Sequence, residues 1–300
     1  MSNSAFPLGA PQVDGNKLTV DTALKEPGRI TKRLSDLMLQ NFIAGEVFTP
    51  SGANTESGAI VYDQVTINEL YTTRDVEQRG PSDEYPVVYA DRGEPKLAQA
   101  EDWGGKFFVT DEARSRNNIA VFNNDVTALS NTLLRKVETR LVATLEAAIN
   151  AVPGGAGTVP GNDWSAVDLT GTSPTPTQER PVADFANVQL AADTEELGVN
   201  FDLWIMNPVE VATLTGIYGT DVAGILSALG VRIKKSNRVP AGTAYAVAAG
   251  QVGFLDFEKP LTTETWREES TRRTWVQSYL LPIMGVTNPY SVKKITGLGG

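Results

Sequence analysis

The feature that most constrains the fold of this sequence is a long amphipathic helix. Its apolar residues recur at steps of three or four, which places them on one stripe of a helix from about Asp125 to Ala151. The stripe consists of Val126, Leu129, Leu133, Val137, Leu141, Leu145 and Ile149. Asn123, Asn124 or Asp125 can cap its start. At about 1.5 Å per residue the helix spans roughly 40 Å, whereas helices of compact domains average about 11 or 12 residues.

The stretch before this helix is extended, charged and punctuated by turns. Its β-prone segments are Ala59–Tyr62, Val65–Ile67 and Tyr85–Tyr89, and Arg79–Asp83 has turn chemistry. It has too few apolar residues to bury a core of its own. It is therefore either a mobile loop or a strand pair that lies on another subunit. Together, this extended stretch and the long helix predict a subunit of a lattice-forming shell. The alternative is that the helix is a long core helix of an ordinary enzyme.

Composition narrows the function classes. The sequence has no cysteine and no histidine, which excludes thiol nucleophiles, Ser-His-Asp arrangements and histidine-ligated zinc. The formal net charge is −10, and no stretch clusters Lys and Arg as tight phosphate binding requires. Carboxylate, Lys or Tyr chemistry remains possible, but an enzyme becomes the less favoured class. We predict no catalytic, cofactor-binding or metal-binding residues, no cofactor, and a protein that is not an enzyme.

No apolar run is long enough for a membrane span, and residues 1–12 lack the basic start and apolar centre of a secretory signal. We therefore expect no membrane partner and folding in the cytoplasm. Residues 51–118 carry seven basic and thirteen acidic side chains, which we interpret first as a solvated acidic face.

A Gly-, Pro- and Thr-rich connection over 152–181 predicts the start of a second, α/β unit. Helices are expected over Asp184–Leu197 and Asp221–Leu229, with Gly198 and Gly230 at their ends. A further helix is predicted after Asn207, with Pro208 at its first position and Glu210 completing a capping box. The remainder is strand-like and includes 201–206, 231–235, 244–248, 252–257 and much of 261–295.

Several short motifs resemble catalytic or binding sites only superficially. The glycine-rich segments Gly104–Phe107 and Gly154–Gly157 do not lie in strand-to-helix turns that could aim amides at a phosphate. Ser291–Lys294 matches a Ser-x-x-Lys pattern but lies in an expected strand, so the pair would not share a helix face. The acidic doublets Asp111–Glu112, Glu195–Glu196 and Glu268–Glu269 are expected on solvated faces rather than at a cation.

The order of predicted elements resembles the major capsid proteins of tailed bacteriophages with the Hong Kong 97 type fold. Local sequence is similar to capsid proteins of phages that infect actinobacteria. The segments that carry this resemblance are Arg74–Arg79 (RDVEQR), Glu101–Phe107 (EDWGGKF), Thr110–Arg114 (TDEAR) and Asn117–Asn118. The resemblance implies an α+β chain with an N-arm, an E-loop, a peripheral domain with a long spine helix, and an axial domain.

By that resemblance, residues 1–30 are the N-arm, 31–57 an N-terminal helix and connection, and 58–109 the E-loop. Residues 110–152 are the peripheral domain with the spine helix, 153–257 the axial domain, and 258–300 the C-terminal strands of the peripheral domain. The implied intersubunit contacts are the E-loop charges Arg74, Asp75, Glu77, Arg79, Asp83, Glu84, Arg92 and Lys96. Packing of the spine helix is assigned to Leu129, Leu133, Val137, Leu141 and Leu145.

The implied function is self-assembly into pentamers and hexamers of an icosahedral shell around double-stranded DNA, in a virion assembled in the host bacterial cytoplasm. The implied partners are further copies of the chain, a separate scaffolding protein, a portal, a possible decoration protein and DNA bound without sequence specificity. Some relatives join subunits by a Lys to Asn isopeptide bond; we expect none here. Two alternatives stay open at this point: an encapsulin-type nanocompartment shell, and a cytoplasmic α/β enzyme that uses carboxylates.

Overall fold

The structure is a computed structural model, and it describes residues 20–39, 42–66, 72, 74–89 and 93–299. It begins with three helices, α1 (Val20–Lys25), α2 (Pro27–Leu39) and α3 (Ala44–Val47). Ile30, Leu34 and Met38 are buried because their spacing of four places them on one face of α2. The expected N-arm before residue 20, and Ile67 at the end of the second expected strand, lie outside the described residues.

Strands β1 (Ala59–Asp63) and β2 (Pro95–Gln99) pair antiparallel, with Val61 opposite Leu97. This pair confirms the hairpin-like excursion, but a strand at Tyr85–Tyr89 was a wrong prediction, because no strand lies within 74–89. The sequence pattern does not reveal β2, since Ala98 is its one buried residue. The chain continues into β3 (Trp103–Thr110) and α4 (Asp111–Ser115). The Thr110 side chain caps α4 by accepting from the Ala113 amide.

The long helix, α5 (Ile119–Asn150), has 32 residues and is about 48 Å long at 1.5 Å per residue. It begins before the predicted Asp125, and its N-cap position is Asn118 rather than Asn123 or Asn124. The physical reason is tertiary packing: Phe122 and Val126 are buried in a cluster with residues of α1, α2 and β3. That burial stabilises helical turns that local capping signals alone would not include.

The described residues after α5 contain three α-helices, all five strands of one sheet and two of the three strands of another. In chain order the elements are β4 (Thr158–Pro160), α6 (Pro181–Thr194), β5 (Leu203–Met206), α7 (Pro208–Tyr218), α8 (Val222–Leu229), β6 (Arg232–Lys235), β7 (Thr243–Val247), β8 (Gly253–Glu268), β9 (Arg273–Val286) and β10 (Val292–Thr296). The Asn207 side chain caps α7 and Gly230 ends α8 in the left-handed conformation, which confirms both predictions.

The capping box predicted for Glu210 was wrong. This side chain is buried, and its carboxylate accepts a hydrogen bond of 2.5 Å from the Gly242 amide. A buried backbone N–H without a partner is costly, so the carboxylate is held by a distant loop rather than by its own helix end.

The five-stranded sheet has the order β4-β10-β7-β5-β6, so β6 lies at one edge. Pairs β5–β6 and β4–β10 are parallel, and β10–β7 and β5–β7 are antiparallel. A cluster that includes Phe185, Trp204 and Leu214 packs α6 and α7 against this sheet. Strand β10, which the expected boundary at 258 assigns to the peripheral unit, is therefore part of the sheet built mainly from residues 153–257.

The three-stranded antiparallel sheet has the order β3-β9-β8. One core joins α5 to both sheets: it includes Leu141 and Leu145 of α5, Ile205 of the five-stranded sheet, and Leu280 and Met284 of the three-stranded sheet. The long helix is therefore the element on which both sheets pack.

Candidate assembly surface

The arm, residues 59–99, leaves the body of the protein at β1 and returns at β2. Its base is anchored by apolar packing, because Ile60 and Ala98 are buried against Phe254 and Ile283. Hydrogen bonds add to this anchor: the Gln64 side-chain amide donates to the Val286 carbonyl at 3.0 Å, and the Val65 amide donates to the Thr287 carbonyl at 2.8 Å. The base of the arm is thus a fixed part of the fold.

Four of the predicted contact charges have partners within the outer part of the arm, residues 74–89. Arg74 and Glu77 form an ion pair of 2.6 Å, and Asp75 accepts from the Val76 amide at 2.8 Å. The Arg79 guanidinium lies 5.3 Å from the centre of the Tyr85 ring. These contacts hold the local shape of the arm, and the exposed Arg74–Glu77 pair contributes little stability because solvent screens it.

The other predicted charges divide into three cases. Asp83 and Glu84 are exposed, and within the described residues neither has an ion-pair partner. Lys96 donates a hydrogen bond to the Gln64 side-chain oxygen at the base of the arm. Arg92 lies outside the described residues. The structure therefore leaves Asp83 and Glu84 as the carboxylates that are open to another molecule.

Sequence reasoning missed the apolar character of the arm. Six of its large apolar side chains are more than half exposed, namely Val61, Val76, Tyr85, Val87, Tyr89 and Leu97. Tyr85, Val87 and Tyr89 alternate along an extended segment, and that period of two is visible in the sequence. A set of exposed apolar residues on one projection is typical of a protein interaction site.

The long helix supports the arm. Its predicted packing residues Leu133, Val137, Leu141 and Leu145 are buried in the core, and Leu129 packs partly buried beside them. On another side of the helix, Arg140 forms an ion pair of 2.7 Å with Glu101, just after β2. The arm is thus attached to a rigid rod that also carries both sheets.

A polar network fixes the end of α5 to the five-stranded sheet. The Glu146 carboxylate accepts from the Lys294 ammonium at 2.6 Å and from the Tyr245 hydroxyl at 2.9 Å. These two donors hold the pKa of Glu146 below its ordinary value, with Lys294 the larger cause. Burial raises the pKa of Tyr245, and the Glu146 carboxylate raises it further.

Carboxylates of all three acidic doublets are used in ion pairs. Asp111 pairs with Arg267 at 2.8 Å, Glu268 with Arg273 at 2.7 Å, and Glu195 with the buried Lys293 at 2.6 Å. Within the part of the chain that the structure describes, no cluster of three or more such side chains is placed to hold a metal ion. Among the same residues, no helix combines the length and apolarity that crossing a membrane requires.

Comparison with known protein families gives one match that spans most of the chain. Residues 93–295 match the family described as phage capsid protein. The chain belongs to the phage capsid protein family. The proteins of this family are structural. The match does not support the encapsulin-type alternative better than it supports a phage capsid. No curated protein matches the sequence.

Solved structures agree with this membership. A virus-like particle from Pyrococcus furiosus matches with a TM-score of 0.59 and 12% identity, over 89% of this chain and 98% of that chain. The capsid of cyanophage P-SCSP1u matches with a TM-score of 0.56 and 13% identity, over 85% of this chain and 86% of that one. A chain of Mycobacterium phage Adephagia matches with a TM-score of 0.57 and 10% identity, over 85% and 89%.

At these identities the comparison concerns the fold. The chain has the α+β fold of phage capsid proteins, which confirms the fold class of Hong Kong 97 type and the resemblance to capsid proteins of actinobacteriophages. The division into N-arm, E-loop, peripheral and axial domains stays a prediction, as do the intersubunit roles of the named arm residues.

Proposed function

We propose that this family member is a major capsid protein that assembles into the pentamers and hexamers of an icosahedral shell. The observation that carries the proposal is the arm. It projects from an anchored base and exposes six large apolar side chains that the described residues of one copy leave uncovered. Burying such residues between copies is the ordinary way in which an oligomer stabilises a projecting segment.

The expected domains fit this role. Residues 58–109 act as the E-loop, α5 is the spine helix of the peripheral domain, and residues 153–257 form most of the axial domain. Because one core joins the spine helix to both sheets, the subunit responds to contacts as a connected body. Closed symmetry then multiplies many weak contacts into a stable particle.

The shell encloses double-stranded DNA and is assembled in the host bacterial cytoplasm as the capsid of a virion. DNA contact is without sequence specificity, which agrees with the acidic balance of the chain and its lack of clustered Lys and Arg. A scaffolding protein, a portal and a decoration protein are the proposed further partners. The proposed shell has no covalent crosslinks between its subunits.

The contents of purified particles test this function against the nanocompartment alternative. Particles from infected or induced host cells should contain double-stranded DNA protected from nuclease, and their subunits should run as single 32.2 kDa chains on a denaturing gel. Particles filled with a cargo enzyme and free of nucleic acid would contradict the capsid proposal. Subunits missing from the expected position on the gel would contradict the absence of crosslinks.

A further inference from the structure

The solvent side of the three-stranded sheet carries a row of aromatic side chains. Phe108 of β3, Trp275 of β9 and Trp266 of β8 lie directly opposite one another in the strand register. The two tryptophan rings are nearly parallel, at 19°, with centres 6.2 Å apart, and the Phe108 ring centre lies 5.4 Å from that of Trp275. Phe108 is 46% and Trp266 is 39% exposed. The sheet therefore presents two exposed rings that are joined through a third.

The faces of the tryptophan rings can be reached from the solvent side. Lys106 is exposed, and its ammonium lies 4.7 Å from the centre of the Trp275 ring and 5.9 Å from that of Trp266. An exposed contact between a cation and an aromatic ring is weak, and the flexible stem of a lysine lets the ammonium move aside. The ring faces are thus surface on which a ligand can stack.

An open cleft of about 590 Å³ lies beside the aromatic row. Gly104 of β3 keeps this cleft open, because a Cβ at this position would lie only 2.8 Å from the Cβ of Tyr279 on the neighbouring strand. The cleft has polar side chains around it, namely Asp102, Lys106, Lys259, Glu264, Gln277 and Tyr279. The glycine-rich segment Gly104–Phe107, which is unsuited to a phosphate, therefore forms part of a different kind of cavity.

The charges around this surface cancel. The cleft and the aromatic row together hold three cations and three carboxylates, which are Lys106, Lys259, Arg273, Asp102, Glu264 and Glu268. Arg273 and Glu268 already pair with each other at 2.7 Å. A single-stranded nucleic acid needs an excess of cations beside its stacking residues, and this surface has none. An uncharged ligand is favoured.

An uncharged ligand that suits both parts of this surface has one apolar face and many hydroxyl groups. A hydroxyl can donate to the carboxylate of Asp102 or Glu264 and accept from the Gln277 amide, so it uses both kinds of group in the cleft. The C–H groups on one face of a pyranose ring are apolar and slightly positive, and they stack on the negative face of an aromatic ring. These two properties together describe a saccharide.

We propose that the cleft and the aromatic row bind a neutral oligosaccharide. One sugar ring stacks on Trp266 and Trp275, and the hydroxyls of the next ring enter the cleft, where Glu264 accepts hydrogen bonds and Lys106 and Gln277 donate them. The site belongs to a single copy of the chain, so it goes beyond the proposed function and does not rest on it. In a shell, many such sites would attach the particle to a glycan-coated surface through weak contacts that act together.

Isothermal titration calorimetry of the 300-residue chain with two neutral sugars, cellohexaose and maltohexaose, tests the proposal. At least one should bind with a Kd on the order of 0.1–1 mM. That Kd should stay constant when the salt concentration is raised about tenfold, because a neutral ligand releases no counterions. No heat of binding from either sugar at about 10 mM would overturn the proposal. Tighter, strongly salt-dependent binding of oligothymidylate would also overturn it, since that behaviour belongs to a nucleic-acid site.

Substitutions in the aromatic row separate stacking from simple apolar contact. Trp266→Leu keeps an apolar side chain but removes the aromatic face, and it should weaken binding by about tenfold. Trp266→Tyr keeps an aromatic face and should retain most of the affinity. The control Leu190→Ala changes a side chain that is 62% exposed on α6 and should leave the affinity unchanged. A Trp266→Leu variant that binds like the unmodified chain, or an equal loss in Leu190→Ala, would overturn the proposal.

A second variant tests the cleft. Lys106→Ala/Glu264→Ala removes one donor and one acceptor without changing the net charge, and it should weaken binding at least about tenfold because hydrogen bonds to charged groups are strong. Far-ultraviolet circular dichroism checks the fold of each variant, and this exposed pair carries the test if Trp266→Leu does not fold. An unchanged affinity would overturn the assignment of the cleft. Subunits that bind sugar but form no shells would contradict the proposed function alone, and shells that bind no sugar would contradict this inference alone.

Discussion

Removing the apolar side chains of the arm should prevent assembly without unfolding the subunit. Tyr85, Val87 and Tyr89 are 69%, 68% and 68% exposed in the monomer, so most of their surface is available to another copy. Fully burying a large apolar side chain contributes about 1.5–3 kcal/mol, which leaves about 1 kcal/mol or more for each exposed portion. The variant Tyr85→Ser/Val87→Ser/Tyr89→Ser therefore loses about 3 kcal/mol per contact.

At about 1.4 kcal/mol per tenfold, this loss weakens each arm contact by roughly 100-fold. Light scattering during assembly measures it as a rise in the protein concentration at which shells form. The free energy of unfolding should change by less than about 0.5 kcal/mol, since surface substitutions rarely have larger effects. Leu190→Ser is the matched control, because Leu190 is equally exposed but lies on α6. Shells that form from the triple variant at the unmodified concentration would refute the role given to the arm.

Three further predictions concern the fold that supports the arm. Leu145→Ala removes a fully buried side chain of the long helix and should lower the free energy of unfolding, measured in urea, by about 2–5 kcal/mol. The control Leu190→Ala should change it by less than about 0.5 kcal/mol. A loss below about 1 kcal/mol for Leu145→Ala would contradict the core assignment. Lys294 and Tyr245 lower the pKa of Glu146 in the folded state. The ionised carboxylate therefore stabilises the fold at pH values above the pKa of Glu146 in the unfolded chain. That stabilisation is lost as the pH falls through the lowered pKa of the folded state. The unfolding free energy of Glu146→Gln should therefore fall less steeply than that of the unmodified chain between about pH 5 and pH 3, and equal slopes would rule the network out. A Cβ at Gly253 would lie 2.0 Å from the Gly285 carbonyl oxygen, so Gly253→Ala should lower the thermal unfolding midpoint. The control Gly28→Ala has nothing within 4 Å of the added atom and should raise the unfolding midpoint slightly, because alanine loses less entropy than glycine in a helix. An unchanged unfolding midpoint in Gly253→Ala would disprove the close approach of β8 and β9.

The sequence is most informative where periodicity and local capping agree. The stripe from Val126 to Ile149 predicts the long helix, and Asn207 and Gly230 mark helix ends that the structure confirms. Local signals fail where tertiary contacts decide. Burial of Phe122 extends α5 before its expected start, and the buried Glu210 binds the distant Gly242 amide rather than its own helix end.

The assembly surface is predictable only in part, for a similar reason. Charges are conspicuous in the arm sequence, yet Arg74, Glu77 and Arg79 interact within the arm. The alternation of Tyr85, Val87 and Tyr89 indicates an assembly surface more strongly than the charges do. Such alternation, however, also fits a strand that is covered by its own sheet. Only the fold shows that these side chains are uncovered.

The central claim is that this chain is a shell subunit. Electron microscopy of the purified protein, produced alone and together with the proposed scaffolding protein, tests this claim most directly. The account predicts closed shells of megadalton mass whose image averages show subunits in fivefold and sixfold rings. A uniform population of 32.2 kDa monomers under the same conditions would contradict it.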